Sequence, residues 1–150
     1  MGEHVILGML QNMWVRDPVT IRRVIREKPS ARRRMIALWM PKTPSGRALR
    51  AAFGDLFDRI VWDNAASAIG GQSDAAPKAD HVHIAGLLRE LQPSIVLAFG
   101  RKAVDALRQH NVPRLIESRH PSPRAAGCRT LPSLDAAASE LRSALLGEGE

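Results

Sequence analysis

The chain has 150 residues, 45% of them apolar and 25% charged, which is typical of a single folded domain with its own core. Its 22 Lys and Arg residues outnumber 15 Asp and Glu residues, so the formal net charge is +7 and the calculated pI is near 10.9. Most of these cations are arginines, whose forked side chains match phosphate oxygens. The charge balance therefore favours a nucleic-acid or nucleotide partner.

The chain contains one cysteine, Cys128. One cysteine excludes an internal disulfide, a cysteine-ligated zinc site and a cysteine-ligated iron-sulfur cluster within one chain, and we expect no cofactor. No apolar run reaches the roughly 18 residues that a membrane helix needs, and the N-terminal residues carry no basic signal-peptide region. These features favour a cytoplasmic protein that does not bind membranes. The sequence does not determine the oligomeric state, and a monomer is expected.

Short apolar runs alternate along the chain with segments of helical periodicity. Strands are predicted at 5–10, 57–64, 94–100 and 114–118, and helices at 18–28, 45–54, 80–91, 101–110 and 134–146. We expect Gly8 to end the first strand and Asp80 to cap the helix at 80–91. Residues 36–40 fit a strand, a helix end or a packed loop, and the Gly-rich and Ala-rich segment at about 65–79 predicts a flexible loop.

This alternation of strands and helices predicts an α/β fold in which a central four-stranded parallel sheet lies between two layers of helices. The whole chain, residues 1–150, is expected to form one domain. In such a sheet, ligands bind outside the carboxyl ends of the strands. The polar residues expected there are Gln11 and Asn12 after the first strand, Asp63 and Asn64 after the second, and residues 120–124 after the fourth.

His120 opens the sequence His-Pro-Ser-Pro-Arg, in which the prolines force the residues before them into extended geometry. A stiff loop that carries a histidine is a candidate reactive site, although a simple turn between strand and helix also fits. The third strand leads into Arg101 and Lys102 at a helix N-terminus, where an anion could bind. No P-loop is present.

Other polar residues have simpler interpretations. Asn64 also fits a turn residue at the end of a strand. Asp55, Asp58 and Asp63 are predicted to be surface charges rather than metal ligands. His81 and His83 are two positions apart on a predicted helix and would point to different faces, so we expect no metal site.

The chain resembles the uracil-DNA glycosylase superfamily in three segments: Val61-Trp62-Asp63-Asn64, the run 95–107, and His120-Pro121-Ser122-Pro123. Gly8-Met9 and Arg124 are most similar to the branch that selects single-stranded DNA. The resemblance implies a uracil-DNA glycosylase-like domain that removes uracil or a related deaminated base from DNA in base excision repair. The branch with an iron-sulfur cluster is excluded because it needs four cysteines.

The resemblance also implies roles for individual residues. Asn64 would pair with the edge of the base, and His120 would stabilise the departing base. Ser122 and Pro123 would grip a DNA phosphate, Arg124 would enter the space that the flipped base leaves, and Arg101 and Lys102 would contact DNA. Gly8 and Met9 would lie at the base, and Trp14 would stack on it.

The first motif departs from the family pattern Gly-x-Asp-Pro or Gly-x-Asn-Pro, because this chain reads Gly8-Met9-Leu10-Gln11-Asn12. Leu10 occupies the place of the side chain that positions water, so Asn12, Gln11 or the more distant Asp17 would have to do so. Three hypotheses follow: a DNA glycosylase, a catalytically impaired relative that binds nucleic acid or a protein, and a small α/β module that binds free nucleotides.

Overall fold

The computed structural model describes residues 4–10, 13–14, 18–28, 31–65, 69–70, 78–122 and 130–147. Its strands are β1 (Ile6–Leu10), β2 (Met13–Trp14), β3 (Ile60–Asn64), β4 (Ile69–Gly70), β5 (Ile95–Phe99) and β6 (Leu115–Ser118). Its helices are α1 (Pro18–Glu27), α2 (Ala31–Trp39), α3 (Pro44–Phe53), α4 (His81–Leu91), α5 (Arg101–Leu107) and α6 (Leu134–Gly147). Short 3-10 helices cover Met40–Lys42 and Gly54–Arg59.

The central sheet contains four parallel strands in the order β3-β1-β5-β6. Every residue of β1 and β5 is buried, as expected for inner strands of a parallel sheet that is covered on both faces. The chain places β3 on one side of β1 and then crosses to place β5 on the other. The direction in which the chain adds strands therefore reverses between the neighbouring strands β1 and β5.

Two apolar cores lie on opposite faces of this sheet. On one face, α2, α3 and α6 pack around an aromatic cluster of Phe53, Phe57, Trp62 and Phe99. On the other face, α4 and α5 contribute Ile84, Leu87 and the apolar side of 103–107. The chain is therefore a three-layer α/β/α protein, as its sequence predicts.

Several local predictions are confirmed or corrected. Asp80 caps α4 by accepting a hydrogen bond from the His83 backbone N–H at 3.1 Å, as predicted. Residues 36–40, left open by the sequence, complete α2 and enter a 3-10 helix. The predicted strand at 57–64 is wrong in its first half, because residues up to Arg59 form a 3-10 helix.

The prediction that Gly8 ends β1 is wrong. Gly8 lies in the middle of this strand, opposite Trp62 of β3. A Cβ atom at this position would lie 2.6 Å from two ring atoms of Trp62. The glycine is therefore needed because the indole lies against the backbone of β1.

The predicted loop at 65–79 falls mostly outside the described residues. The two described residues within it that form a strand, Ile69 and Gly70, pair in parallel with Met13 and Trp14 to make a second, two-stranded sheet. Among the described residues, no helix combines the length and apolar character needed to cross a membrane.

Candidate functional site at the carboxyl edge of the sheet

Asn64 and His120 lie at the same edge of the central sheet, on its two outer strands. Asn64 is the last residue of β3, and His120 follows β6 by two residues. Strands β1 and β5 separate them, which corresponds to about 14 Å between the outer strands. A ligand bound across the ends of β1 and β5 would therefore lie between these two residues.

His120 is fixed in a single protonation pattern. The backbone N–H of Ser122 lies 3.0 Å from its Nδ1 and can only donate, so Nδ1 accepts and the ring proton is on Nε2. Burial lowers the pKa of His120 below its ordinary value. The ring therefore presents a neutral Nε2–H donor, and no partner for Nε2 occurs among the described residues.

Gly100, which ends β5, positions this ring. Its backbone N–H donates to the Ser118 carbonyl at 2.9 Å, which joins the ends of β5 and β6. Its φ angle is +93°, in the region that favours glycine, and its Cα faces the imidazole of His120. This role could not be predicted from the sequence, in which Gly100 is interpreted only as the end of a strand.

Asn64 is only 3% exposed. Its backbone N–H donates to Oδ1 of Asp63 at 2.7 Å, so the carboxylate of the preceding residue holds the backbone at the end of β3. The side-chain amide of Asn64 can donate and accept at the same time.

Asp63 was predicted to be a surface charge, and this prediction is wrong. Its residue exposure is 2%, and Oδ1 lies 3.3 Å from Nη1 of Arg32 and 3.1 Å from Nε2 of His83. Burial alone would raise the pKa of Asp63, but the hydrogen bond to His83 and the charge of Arg32 lower it below its ordinary value. The other two aspartates of this group, Asp55 and Asp58, are exposed as predicted.

Arg32, Asp63 and His83 form a cluster, which we call the Asp63 cluster. It joins α2, β3 and α4, respectively, at the edge of the sheet. The sequence contains one sign of it. Arg32 is four positions from the buried Ile36 and so lies on the buried face of α2, where an arginine needs a partner. The cluster holds the backbone that carries Asn64.

The residues of the first motif are only partly described. Met9 is fully buried in the apolar core on the face of α4 and α5, and Leu10 is 6% exposed in the core on the other face. Trp14 lies in β2, opposite Gly70. Gln11, Asn12 and Asp17 are outside the described residues, and so the residue that would position water is not placed.

Of the residues predicted to contact DNA, some lie within the described part of the chain and others do not. Ser122 is half-buried beside His120, whereas Pro123 and Arg124 lie outside the described residues. Arg101 is exposed and donates to Oγ1 of Thr130 at 2.6 Å, and Lys102 is exposed on the same first turn. Helix α5 has only seven residues, so its N-terminus is not an anion site by itself. Arg101 and Lys102 could bind a phosphate only through their charged side chains.

The histidines of α4 point to different neighbours, as their spacing predicts. His83 contacts Asp63, whereas the ring of His81 stacks on His110 with 5.1 Å between centroids and 2.9 Å between Nδ1 and Nε2. In the described ranges, no group of three His, Cys, Asp or Glu side chains is arranged to hold a metal ion.

No family model, curated protein or solved structure matches this chain. The relationship to uracil-DNA glycosylases therefore stays a prediction from the motifs.

Proposed function

We propose that this protein is a DNA glycosylase that hydrolyses the N-glycosidic bond of uracil or a related deaminated base. The observation that carries the proposal is the fixed state of His120, a neutral imidazole whose Nε2–H is directed away from the Ser122 backbone. When the glycosidic bond breaks, its electron pair moves onto the base, and negative charge develops on a base oxygen. A preorganised neutral donor stabilises that charge without first losing a proton.

Asn64 supports the same assignment from the opposite strand. The edge of uracil presents a carbonyl oxygen beside an N–H group, and a single side-chain amide can satisfy both. Cytosine has the reverse donor pattern at this edge, so the amide would select against it, whereas thymine presents the same edge as uracil and differs only in a ring methyl group. Water then adds its hydroxyl to the sugar carbon, and its remaining proton neutralises the departing base.

The test is cleavage of a single-stranded oligonucleotide that contains one uracil, followed by alkali treatment to break the abasic strand. Wild type is expected to cleave it, and His120→Ala is expected to lower the single-turnover rate by about 100-fold or more, the effect of removing one oxyanion donor. Asn64→Ala should lower the rate steeply as well. His4→Ala is the matched control, because His4 precedes β1 and bonds to Ser94 before β5, at the opposite edge of the sheet.

Each variant is compared with wild type by thermal melting, so that loss of fold is separated from loss of chemistry. The proposal fails if excess protein leaves uracil, hypoxanthine and xanthine substrates intact. It also fails if His4→Ala and His120→Ala reduce cleavage equally while both remain folded.

A second candidate function is nucleic-acid binding without base release. The observation that favours it is the burial of Leu10 in the core, at the place where the family has a side chain that positions water. This candidate predicts equal affinity for oligonucleotides with and without uracil, and no abasic product. A free nucleotide that raises the melting temperature when DNA does not would instead support the nucleotide-binding module.

A further inference from the structure

The positive charge of this protein is concentrated in one short segment. Residues 18–34 contain six arginines and one lysine against a single acidic residue, Glu27, a formal charge of +6 out of the +7 of the whole chain. The remaining residues are therefore close to neutral in sum. This segment is therefore the largest concentration of net positive charge in the chain.

Two of these arginines are neutralised within the protein. Arg32 is buried against Asp63, and Arg33 lies 3.3 Å from Oε1 of Glu90. Five cations of the segment have exposed side chains: Arg22, Arg23, Arg26, Lys28 and Arg34.

Helix α1 gathers three of these cations on one side. Val19, Arg22, Arg23 and Arg26 follow helical spacing along this side, which we call the arginine face, and with Thr20 they line an open groove of about 280 Å³. The other side of α1 carries Ile21, Val24 and Ile25, which are half-buried. The apolar side of α1 is therefore used inside the protein, and the arginine face is turned outwards.

Helix α1 is connected to the carboxyl edge of the central sheet through the two-stranded sheet. Helix α1 packs against β4, and β4 pairs with β2, which begins three residues after β1 ends at the carboxyl edge of the sheet. A polymer that entered the site between Asn64 and His120 would therefore have the arginine face within reach along the same edge.

We propose that the arginine face binds the phosphate backbone of single-stranded nucleic acid and holds it across the site. This proposal rests on the function proposed above for the choice of polymer. Arginine forks pair with phosphate oxygens, and closely spaced cations suit a chain with regularly repeated negative charge. A membrane-surface helix would need its apolar side free, but here that side is half-buried and only Val19, 72% exposed, adds apolar surface to the arginine face.

The test measures binding of a fluorescently labelled, uracil-free single-stranded oligonucleotide at several salt concentrations. The triple variant Arg22→Ala, Arg23→Ala, Arg26→Ala is compared with the triple variant Arg59→Ala, Arg89→Ala, Arg114→Ala. The second set removes three exposed arginines that precede β3, β5 and β6 at the opposite edge of the sheet. Both variants fall from +7 to +4 in formal charge, so a general charge effect is the same in each.

We expect the arginine-face variant to bind at least 10-fold more weakly, and the control less than 3-fold more weakly. The slope of log affinity against log salt should fall by about 2 for the arginine-face variant, which corresponds to three lost phosphate contacts on a single strand. Equal losses in the two variants, or an unchanged salt slope, would overturn the inference. So would arginine-dependent binding to anionic vesicles or polyglutamate with no binding to the oligonucleotide.

Failure of the proposed function and failure of this binding surface give different results. If wild type binds the oligonucleotide through the arginine face but never releases uracil, the glycosylase proposal falls and the binding surface stands. If wild type releases uracil and the arginine-face variant binds and cleaves as well as the control, the surface is wrong and the glycosylase proposal stands.

Discussion

Gly100 lies directly against the imidazole ring of His120. A Cβ atom on Gly100 would be 3.2 Å from Cβ and 3.3 Å from Cδ2 of that histidine, and the Gly100 backbone has a φ angle of +93°. Two independent constraints, backbone conformation and close contact, therefore require glycine beside the candidate catalytic ring.

Gly100→Ala is expected to destabilise the protein by about 1–3 kcal/mol, because a side chain is strained at this φ angle. It should also shift the ring of His120 and slow base release. Urea unfolding and single-turnover cleavage measure the two effects. Gly86→Ala is the control, since a Cβ there meets nothing within 4 Å, and it should stabilise helix α4 by about 0.5–1 kcal/mol. A Gly100→Ala variant as stable and as active as wild type would contradict the assignment of Gly100 as a positioning residue.

The protonation state of His120 gives a second prediction. Because burial lowers its pKa, the ring should be neutral at pH 7, with the proton on Nε2, and should titrate below the ordinary value of 6.5. Nitrogen-15 NMR of labelled histidine reads both the midpoint and the tautomer. A midpoint above 6.5, or a proton on Nδ1, would contradict the hydrogen bond from Ser122.

The lowered pKa of His120 also predicts that folding stability decreases as the pH falls. A histidine with a lowered pKa stabilises the fold fully above its unfolded pKa of about 6.5 and loses this contribution as pH falls through the folded pKa. Burial also lowers the pKa of His110, and the nearby His81 lowers it further, so both histidines contribute. The loss of stability between pH 7 and 5 should therefore be smaller in His110→Asn, and smaller again when His120→Asn is added.

The buried ion pair of Arg32 and Asp63 gives a third prediction. Asp63→Asn leaves the Arg32 charge buried without its counterion and is expected to cost about 3–5 kcal/mol. Asp58→Asn is the matched control, because the Asp58 carboxylate pairs with Arg50 at the same 3.3 Å but is 71% exposed, and it should cost at most about 1 kcal/mol. Chemical unfolding of the two variants compares them directly, and equal costs would show that Asp63 is not paired as described.

The layout of strands and helices could be predicted from the sequence because it depends on local patterns. Residues 94–100 form a continuous apolar run, and residues 80–91 carry a helical repeat behind an Asp cap. Asn64 and His120 could be placed at one edge because parallel strands end at the same edge.

The pairing of individual residues could not be predicted in this way. Asp63 is separated from Arg32 by 31 positions and from His83 by 20, and only the packing of α2 and α4 against β3 brings the three together. Its acidic neighbours in sequence are exposed, so composition alone favoured a surface position. Gly8 shows the same limit, because its role depends on the side chain of the neighbouring strand and not on its own surroundings in sequence.

Gly8 gives the last prediction, which separates a packing role from a role in base binding. A Cβ there would lie 2.6 Å from Cε3 and Cζ3 of Trp62 and 2.8 Å from Cγ2 of Ile60. Trp62 cannot easily move, because its ring lies 5.3 Å from Phe57 and 5.6 Å from Phe99, between centroids. Gly8→Ala should therefore destabilise the protein by about 1–3 kcal/mol, the usual effect of overpacking a core.

A double-mutant cycle identifies the cause, since the cost of Gly8→Ala should be smaller in a Trp62→Leu background, where the ring is absent. Because the effect acts through packing, the folded fraction of Gly8→Ala should release uracil at the wild-type single-turnover rate. A rate that falls at least 10-fold in protein that is still fully folded would show instead that Gly8 lies at the base, as its place in the first motif implies. Equal costs in both backgrounds would exclude Trp62 as the reason for the glycine.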